Sequence, residues 1–180
     1  MNKKDTVVFD LDGTLLDTLE DLKNSVNYAM TQCGYPEHTL DEVRRYVGNG
    51  ILLLMQRAIP GGKDDPNFDK AFTLFKEHYG KHCNDTTKSY AGIMELLHTL
   101  KENNIKIAIV SNKADFAVKE LNAIYFKDLI PVAIGEKESE GIRKKPAPDT
   151  VIEALKQLGS TAENSVYIGD SDVDIETARN

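Results

Sequence analysis

Residues 6–15 read Thr-Val-Val-Phe-Asp-Leu-Asp-Gly-Thr-Leu, and this stretch decides the fold. Its first four residues are β-branched or aromatic, which is typical of a buried strand, and the strand stops where the aspartates and the glycine begin a turn. The pattern predicts that Asp10 stands at the C-terminal tip of this strand, with Asp12 two residues further on. Ligands of parallel α/β sheets bind beyond such strand ends, so both carboxylates are candidate site residues.

The segments on the two sides of Asn84 follow different patterns. Before it, helical spacing of apolar residues predicts four consecutive helices, at residues 17–33, 39–47, 51–59 and 67–83. Thr39 and Glu42 form a capping box at the start of the second helix. After Asn84, strands predicted at residues 105–110, 130–134 and 166–168 alternate with helices at 92–102, 114–125 and 148–158. This alternation predicts an α/β fold with a parallel sheet.

The helical block therefore interrupts the α/β fold after its first strand. We expect a core domain made of residues 1–15 and 84–180, and an all-helical domain made of residues 16–83. A chain of 180 residues with 41% hydrophobic content is long enough for one core and a smaller inserted module.

Composition narrows the class of partner. The formal net charge is -7, from 22 Lys+Arg and 29 Asp+Glu, which argues against a nucleic-acid partner and favours a small diffusible substrate. No stretch approaches the roughly 20 apolar residues of a membrane span, and the apolar patch after the first six residues is too short for a signal peptide. We therefore expect a cytoplasmic protein with no membrane partner.

Polar residues follow three of the predicted strands, namely Asp10 and Asp12, the run 111–113, and the run 169–174. Lys145 precedes the helix that leads to the last of these strands. In a parallel sheet these groups converge on one edge. Clustered carboxylates raise one another's pKa unless a cation pairs with them. Oxygen ligands without His or Cys select Mg²⁺, so the sequence predicts a magnesium site.

The same groups suit phosphoryl transfer, in which positioning and charge neutralisation do most of the work. Asp10 is the candidate nucleophile for an aspartyl-phosphate, and Asp12 the candidate general acid and base. Gly13 allows the backbone to turn tightly beside the phosphate. Ser111 offers a hydroxyl to a phosphoryl oxygen, and Lys145 offers a positive charge.

Residues 10–15, 111–112, 145–146 and 169–174 resemble, in this order, the four motifs of the haloacid dehalogenase (HAD) superfamily. The resemblance covers nearly the whole chain. It implies a Rossmann-like core, and it implies that the helical insert is the small cap domain that closes over the substrate in this family.

The resemblance also implies a set of site residues. The catalytic residues would be Asp10, Asp12, Ser111 and Lys145, the substrate-binding residues Gly13, Thr14 and Asn112, and the magnesium-binding residues Asp10, Asp12, Asp170 and Asp174. Asp12 would bind through its backbone carbonyl, and Asp174 through water or by supporting the other ligands.

Simpler interpretations compete for several of these residues. Asp10 and Asp12 are common in plain turns, Ser111 could cap the helix that follows it, and Lys145 lies in a basic run that could be a solvated face. Asp172 suits the N-terminal end of a helix better than a metal site.

Within the superfamily, residues 14–18, 47–50, 145–149 and 169–171 look most like phosphoglycolate phosphatases, which implies a small phosphorylated metabolite as substrate. One alternative is a phosphomutase of the same superfamily, but such proteins resemble Glu-Asp-Ser where this chain has Gly169-Asp170-Ser171. Another is a non-catalytic protein that binds phosphate or Mg²⁺. The sequence leaves the oligomeric state open.

The chain departs from the family pattern after the fourth motif. Relatives usually continue through another strand and helix, whereas this sequence ends at Asn180. We therefore expect the C-terminal edge of the core to be missing, either because the chain is a fragment or because it tolerates an unfinished sheet.

Overall fold

A computed structural model describes residues 4–180. The first three residues, which belong to the predicted core domain and to the N-terminal stretch considered above for a signal peptide, lie outside the described residues. The chain divides into two compact units, one containing the residues up to Leu16 together with Ser89–Asn180, and the other containing Asp17–Lys88.

The described residues form the following strands and helices, given in chain order. They are β1 (Thr6–Phe9), β2 (Leu16–Asp17), α1 (Leu19–Gln32), α2 (Leu40–Tyr46), α3 (Ile51–Ala58), α4 (Phe68–His82), β3 (Lys88–Ser89), α5 (Ile93–Glu102), β4 (Lys106–Ala114), α6 (Asp115–Tyr125), β5 (Val132–Glu136), α7 (Asp149–Leu158), β6 (Ser165–Ile168) and α8 (Asp172–Arg179). Short 3-10 turns lie at Gly62–Asp64, Glu138–Glu140 and Ala162–Asn164.

The first unit contains a four-stranded sheet in the order β5-β4-β1-β6, and every neighbouring pair is parallel. β1 lies between β4 and β6, with Phe9 opposite Ile109 on one side and Ile168 on the other. Two clusters of buried apolar side chains pack against the sheet, one around Phe9 and one around Val8, as expected for successive residues that point to opposite faces. The predicted α/β class with a parallel sheet is confirmed.

β4 is irregular at its C-terminal end. Val110 pairs with Ile134 and Ala114 with Glu136, so four steps along β4 match only two along β5. Such a bulge bends the strand and changes the direction of its side chains. The sequence predicted that β4 ends at Val110, but the strand continues to Ala114, because residues 111–113 are polar and carry no apolar strand signal.

The second unit packs α1 to α4 around one apolar core that includes Val26, Met30, Met55 and Phe75. Helix α2 begins with the predicted capping box, in which the Thr39 hydroxyl accepts from the Glu42 backbone N–H. Strands β2 and β3 pair in a two-stranded sheet that the sequence did not predict, because two residues are too few for any periodicity.

A buried carboxylate ties the two ends of the second unit together. Asp21, in the first turn of α1, accepts hydrogen bonds from the backbone N–H groups and the hydroxyls of Thr86 and Thr87, at distances of 2.6 to 3.1 Å. Burial raises the pKa of Asp21, but these hydrogen bonds outweigh it and hold the pKa below its ordinary value.

Across residues 4–180, none of the helices has both the length and the apolar character that crossing a membrane requires.

Candidate active site

The loop after β1 is held in place by its leucines. Leu11 and Leu15 are fully buried, and the backbone N–H groups of Leu15 and Leu16 both donate to the Leu11 carbonyl at 3.0 Å. The Asp10 backbone N–H donates to the Ile168 carbonyl of β6 at 2.9 Å, which continues the sheet to this residue. The apolar residues therefore fix the backbone from which the two aspartates project.

Gly13 brings this loop against the β6–α8 segment. Its φ is +87°, and a Cβ added to it would lie 2.3 Å from Oδ2 of Asp170. A side chain at this position would displace the Asp170 carboxylate. Thr14 lies at the same contact, with its hydroxyl 3.4 Å from Oδ1 of Asp170.

Asp174 is held by protein donors on both of its oxygens. Oδ2 accepts from the backbone N–H of Ser171 at 3.1 Å and from its hydroxyl at 2.6 Å, in the capping box that begins α8. Oδ1 accepts from Nζ of Lys145 at 2.7 Å and from the Tyr167 hydroxyl at 2.9 Å. A carboxylate offers about four lone-pair sites, so these contacts use the acceptor capacity of Asp174. This arrangement favours a supporting role for Asp174 over direct contact with a metal.

Lys145 joins Asp174 to Asp10. Its Nζ lies 2.7 Å from Oδ1 of Asp10 and 3.0 Å from the Tyr167 hydroxyl, and its side chain is only 4% exposed. Burial would lower the pKa of Lys145, but the Asp10 and Asp174 carboxylates outweigh it and raise the pKa. A solvated position for Lys145 is therefore wrong, because the side chain is a buried ion-pair partner of the leading carboxylate.

Carboxylate oxygens of Asp10, Asp170 and Asp174 lie within 4.8 Å of one another. Burial, together with the Asp174 carboxylate and against the opposing effect of Lys145, raises the pKa of Asp10 to about 7. Burial and Asp174 also raise the pKa of Asp170. Burial and neighbouring carboxylates both disfavour the ionised form of a carboxyl group, and here they raise the pKa of Asp10 and Asp170.

The donor set fits a magnesium ion. The candidate ligands are carboxylate oxygens and the Asp12 backbone carbonyl, which are the oxygen donors that Mg²⁺ prefers, and Asp170 is exposed enough to share a cation that keeps water ligands. Among residues 4–180, the ion pairs of Asp10 and Asp174 are made with Lys145, and that of Asp12 is made with Lys113. When the carboxyl groups of Asp10, Asp12, Asp170 and Asp174 are all ionised, the two ammonium groups leave two negative charges, which one divalent cation would neutralise.

Residues 111–113 bring three different groups to the site. Ser111 is buried, and its hydroxyl accepts from the Lys113 backbone N–H at 3.3 Å. The Asn112 side-chain N–H donates to the Lys145 carbonyl at 3.0 Å, which fixes the backbone of the lysine. Nζ of Lys113 lies 2.9 Å from Oδ1 and 3.3 Å from Oδ2 of Asp12.

The described structure places the predicted site residues in one unit, and two further residues join them. Lys113, which lies in the predicted polar run 111–113, and Tyr167 were not predicted as site residues. A lysine two residues after Ser111, in a polar run that follows a predicted strand, was a usable signal for Lys113. No sequence signal marks Tyr167, because an aromatic residue in a strand is usually a core residue.

The model of the haloacid dehalogenase-like hydrolase family matches residues 7–180, and the chain belongs to this family. It is 32% identical over 177 residues to a phosphoglycolate phosphatase of Aquifex aeolicus (strain VF5), covering 96% of this chain and 79% of that protein. It is 31% identical over 179 residues to the phosphoglycolate phosphatase of Pseudomonas putida KT2440, covering 96% of this chain but only 65% of that protein.

A solved structure is also similar. A candidate phosphoglycolate phosphatase from Lactobacillus delbrueckii subsp. bulgaricus superposes with a TM-score of 0.89 at 35% identity, over 99% of this chain and 83% of that one. These findings confirm the predicted family and fold, and they support the predicted enzyme class, a phosphoric monoester hydrolase.

Proposed function

We propose that this protein is a Mg²⁺-dependent phosphatase that hydrolyses a small phosphate monoester through an aspartyl-phosphate on Asp10. The observation that carries the proposal is the convergence of Asp10, Asp170 and Asp174 within 4.8 Å, with the Lys145 ammonium against two of these carboxylates. Asp10, the Asp12 carbonyl and Asp170 would hold the ion, and Asp174 would support it. Bound Mg²⁺ would neutralise charge on the carboxylates and on the phosphoryl oxygens.

In the first half of the reaction, a carboxylate oxygen of Asp10 attacks the phosphorus and the bond to the leaving alkoxide breaks. Asp12 donates its carboxylic proton to that alkoxide. Lys145 and the Ser111 hydroxyl stabilise charge on the phosphoryl oxygens.

In the second half, the Asp12 carboxylate takes a proton from water as the water oxygen attacks the phosphorus. The bond between phosphorus and Asp10 then breaks and inorganic phosphate leaves. Asp10 returns to its ionised form and Asp12 to its protonated form, so the two steps restore the starting state.

We propose 2-phosphoglycolate as the leading substrate, because the matched relatives are named for it. We also propose that the helical unit acts as the family's cap domain, and that turnover takes place in the cytoplasm. Phosphatase is favoured over phosphomutase by Gly169, since a Cβ there would lie 2.3 Å from Cγ of Asp174 and a glutamate would displace that residue.

The test is phosphate release from a panel of phosphorylated metabolites that includes 2-phosphoglycolate, with Mg²⁺ and then with a chelator. We expect metal-dependent release by the wild type, and none by Asp10→Asn. Asp128→Asn, an exposed substitution in the same unit, should behave as the wild type. Binding of Mg²⁺ and phosphate without turnover of any ester would favour the non-catalytic alternative, and an isomeric ester as product would favour the mutase.

A further inference from the structure

Lys113 and Lys145 are two buried lysines that hold different members of the Asp10–Asp12 pair. Lys145 contacts Asp10 and Asp174, whereas Lys113 contacts both oxygens of Asp12. The Lys113 side chain is 4% exposed and that of Asp12 is 18% exposed. The Asp12 carboxylate is therefore bound on both oxygens by an ammonium group that is itself almost completely buried.

Lys113 lies in the bulge at the end of β4. The two additional residues lie between Val110 and Ala114, so the backbone at Lys113 leaves the regular pleat of the strand. Such bulges redirect side chains near active sites. Lys113 therefore contacts Asp12 from the irregular part of β4.

Gly135 of β5 packs closely against this segment. A Cβ on Gly135 would lie 2.6 Å from the Lys113 carbonyl oxygen and 2.4 Å from Cα of Asp115. The Gly135 backbone N–H also donates to Oδ1 of Asp115 at 2.9 Å. Lys113 thus projects from backbone that packs against Gly135 of β5 and is hydrogen-bonded to it through Asp115.

We infer that Lys113 is a positioning residue that acts through Asp12, by holding its carboxyl group, in both the ionised and the protonated form, in the orientation needed for proton transfer. Asp12 projects from a turn and is partly exposed, so without a fixed donor it could adopt several rotamers. A fixed donor restricts the Asp12 carboxyl group to one orientation, and general acid and base catalysis requires such a fixed orientation. This inference rests on the proposed function.

A comparison of two esters separates this role from a structural one. A nitrophenolate leaves without a proton, whereas an alkoxide needs the proton of Asp12. The ratio kcat/KM reports the steps up to release of the alcohol, and kcat also includes hydrolysis of the aspartyl-phosphate. In Lys113→Met we expect kcat/KM to fall roughly 10²-fold for an alkyl phosphate and to change little for nitrophenyl phosphate.

The aryl ester should also show a characteristic change in its kinetic constants. Its kcat and KM should fall together in Lys113→Met, because water activation by Asp12 slows while phosphoryl transfer to Asp10 does not. Lys106→Met, the same change at the half-exposed start of β4, should leave both esters unaffected. Equal losses of kcat/KM on the two esters would overturn the inference.

A double variant tests whether Lys113 works through Asp12. In an Asp12→Asn background, Lys113→Met should cause little further loss of kcat/KM on the alkyl ester, since non-additivity marks residues that act as one unit. Full additivity would overturn the inference.

Folding of the variants is checked by melting. Loss of one partner breaks the ion pair between Lys113 and Asp12 and leaves the other charge in place, whereas the double variant removes both charges. If Lys113→Met does not fold, Lys113→Arg should show the same preference for the aryl ester in a milder form. If neither variant folds, the role is structural and the inference fails. Absence of wild-type turnover on both esters would instead contradict the proposed function.

Discussion

The two units of this protein bury aspartates in opposite ways. In the helical unit, the Asp21 carboxylate is surrounded by neutral donors from Thr86 and Thr87, and its pKa is lowered. In the sheet unit, Asp10 is buried beside Asp174 and Lys145, and its pKa is raised to about 7. A carboxylate satisfied by fixed neutral donors has a structural role. A buried carboxylate that shares one ammonium group with a second carboxylate is ready to bind a further cation and attack an electrophile.

The largest expected effect is that of Asp10→Asn. We expect turnover to fall by roughly 10⁴ to 10⁶, the range for loss of a nucleophile. Stability in Mg²⁺-free buffer at neutral pH should not fall, because Lys145 keeps Asp174 as its ion-pair partner. Phosphate release and thermal melting measure the two effects. Asp21→Asn is the matched control, for which the comparison predicts lower stability and near-normal turnover.

Removal of Lys145 from the same cluster should lower the stability of the protein, unlike Asp10→Asn. Lys145→Met leaves the carboxylates of Asp10 and Asp174 buried without a cation, and we expect a loss of about 3 to 5 kcal/mol in the free energy of unfolding. Saturating Mg²⁺ should restore part of it. Denaturant titration checks this value, with Lys144→Met at the partly exposed neighbouring lysine as control. A loss no larger than that of the control would contradict the assigned ion pair.

Gly13→Ala tests the contact between the loop and Asp170. The added Cβ would displace the Asp170 carboxylate, so the rise in Tm caused by Mg²⁺ should disappear. Positive φ alone costs about 1 to 3 kcal/mol for a residue other than glycine. Gly141→Ala is matched, since its φ is +80° and no heavy atom lies within 4 Å of the added Cβ. It should lose stability but keep the Mg²⁺ response, and a normal response in Gly13→Ala would place the metal elsewhere.

The smallest effect concerns acid stability of the helical unit. Because the pKa of Asp21 is lower in the folded state, its contribution is fully present above the ordinary value of 3.8 and is lost as pH falls through the lowered value. Asp21→Asn should therefore cost about 1 to 3 kcal/mol at neutral pH and less under strongly acidic conditions. Urea titrations at several pH values measure this, with exposed Asp69→Asn as control. A pH-independent cost would contradict the lowered pKa.

The fold could be predicted largely because its signals are local. The buried run 6–9, the capping box at Thr39 and the apolar helix spacing each act within a few residues, and the structure has each of these elements. The end of β4 could not be predicted, since the bulge depends on pairing with β5. The two-residue strands β2 and β3 also depend on a distant partner.

The candidate site divides in a similar way. Asp10, Asp12 and Asp170 could be proposed because they follow strands whose parallel order brings them together. Contacts that depend on side-chain direction could not. Sequence does not show that Lys113 turns to Asp12, or that the Tyr167 hydroxyl reaches Lys145 and Asp174.

Chemical trapping of the intermediate tests the central claim most directly. During turnover of an aryl phosphate with Mg²⁺, the reaction is quenched rapidly and treated with borohydride, which reduces an acyl phosphate of aspartate to homoserine. Peptide mass spectrometry should find this change at Asp10 in the wild type, more of it in Asp12→Asn, where hydrolysis is slowed, and none in Asp10→Asn. Turnover with an unmodified Asp10, or with the modification at another residue, would contradict Asp10 as the nucleophile.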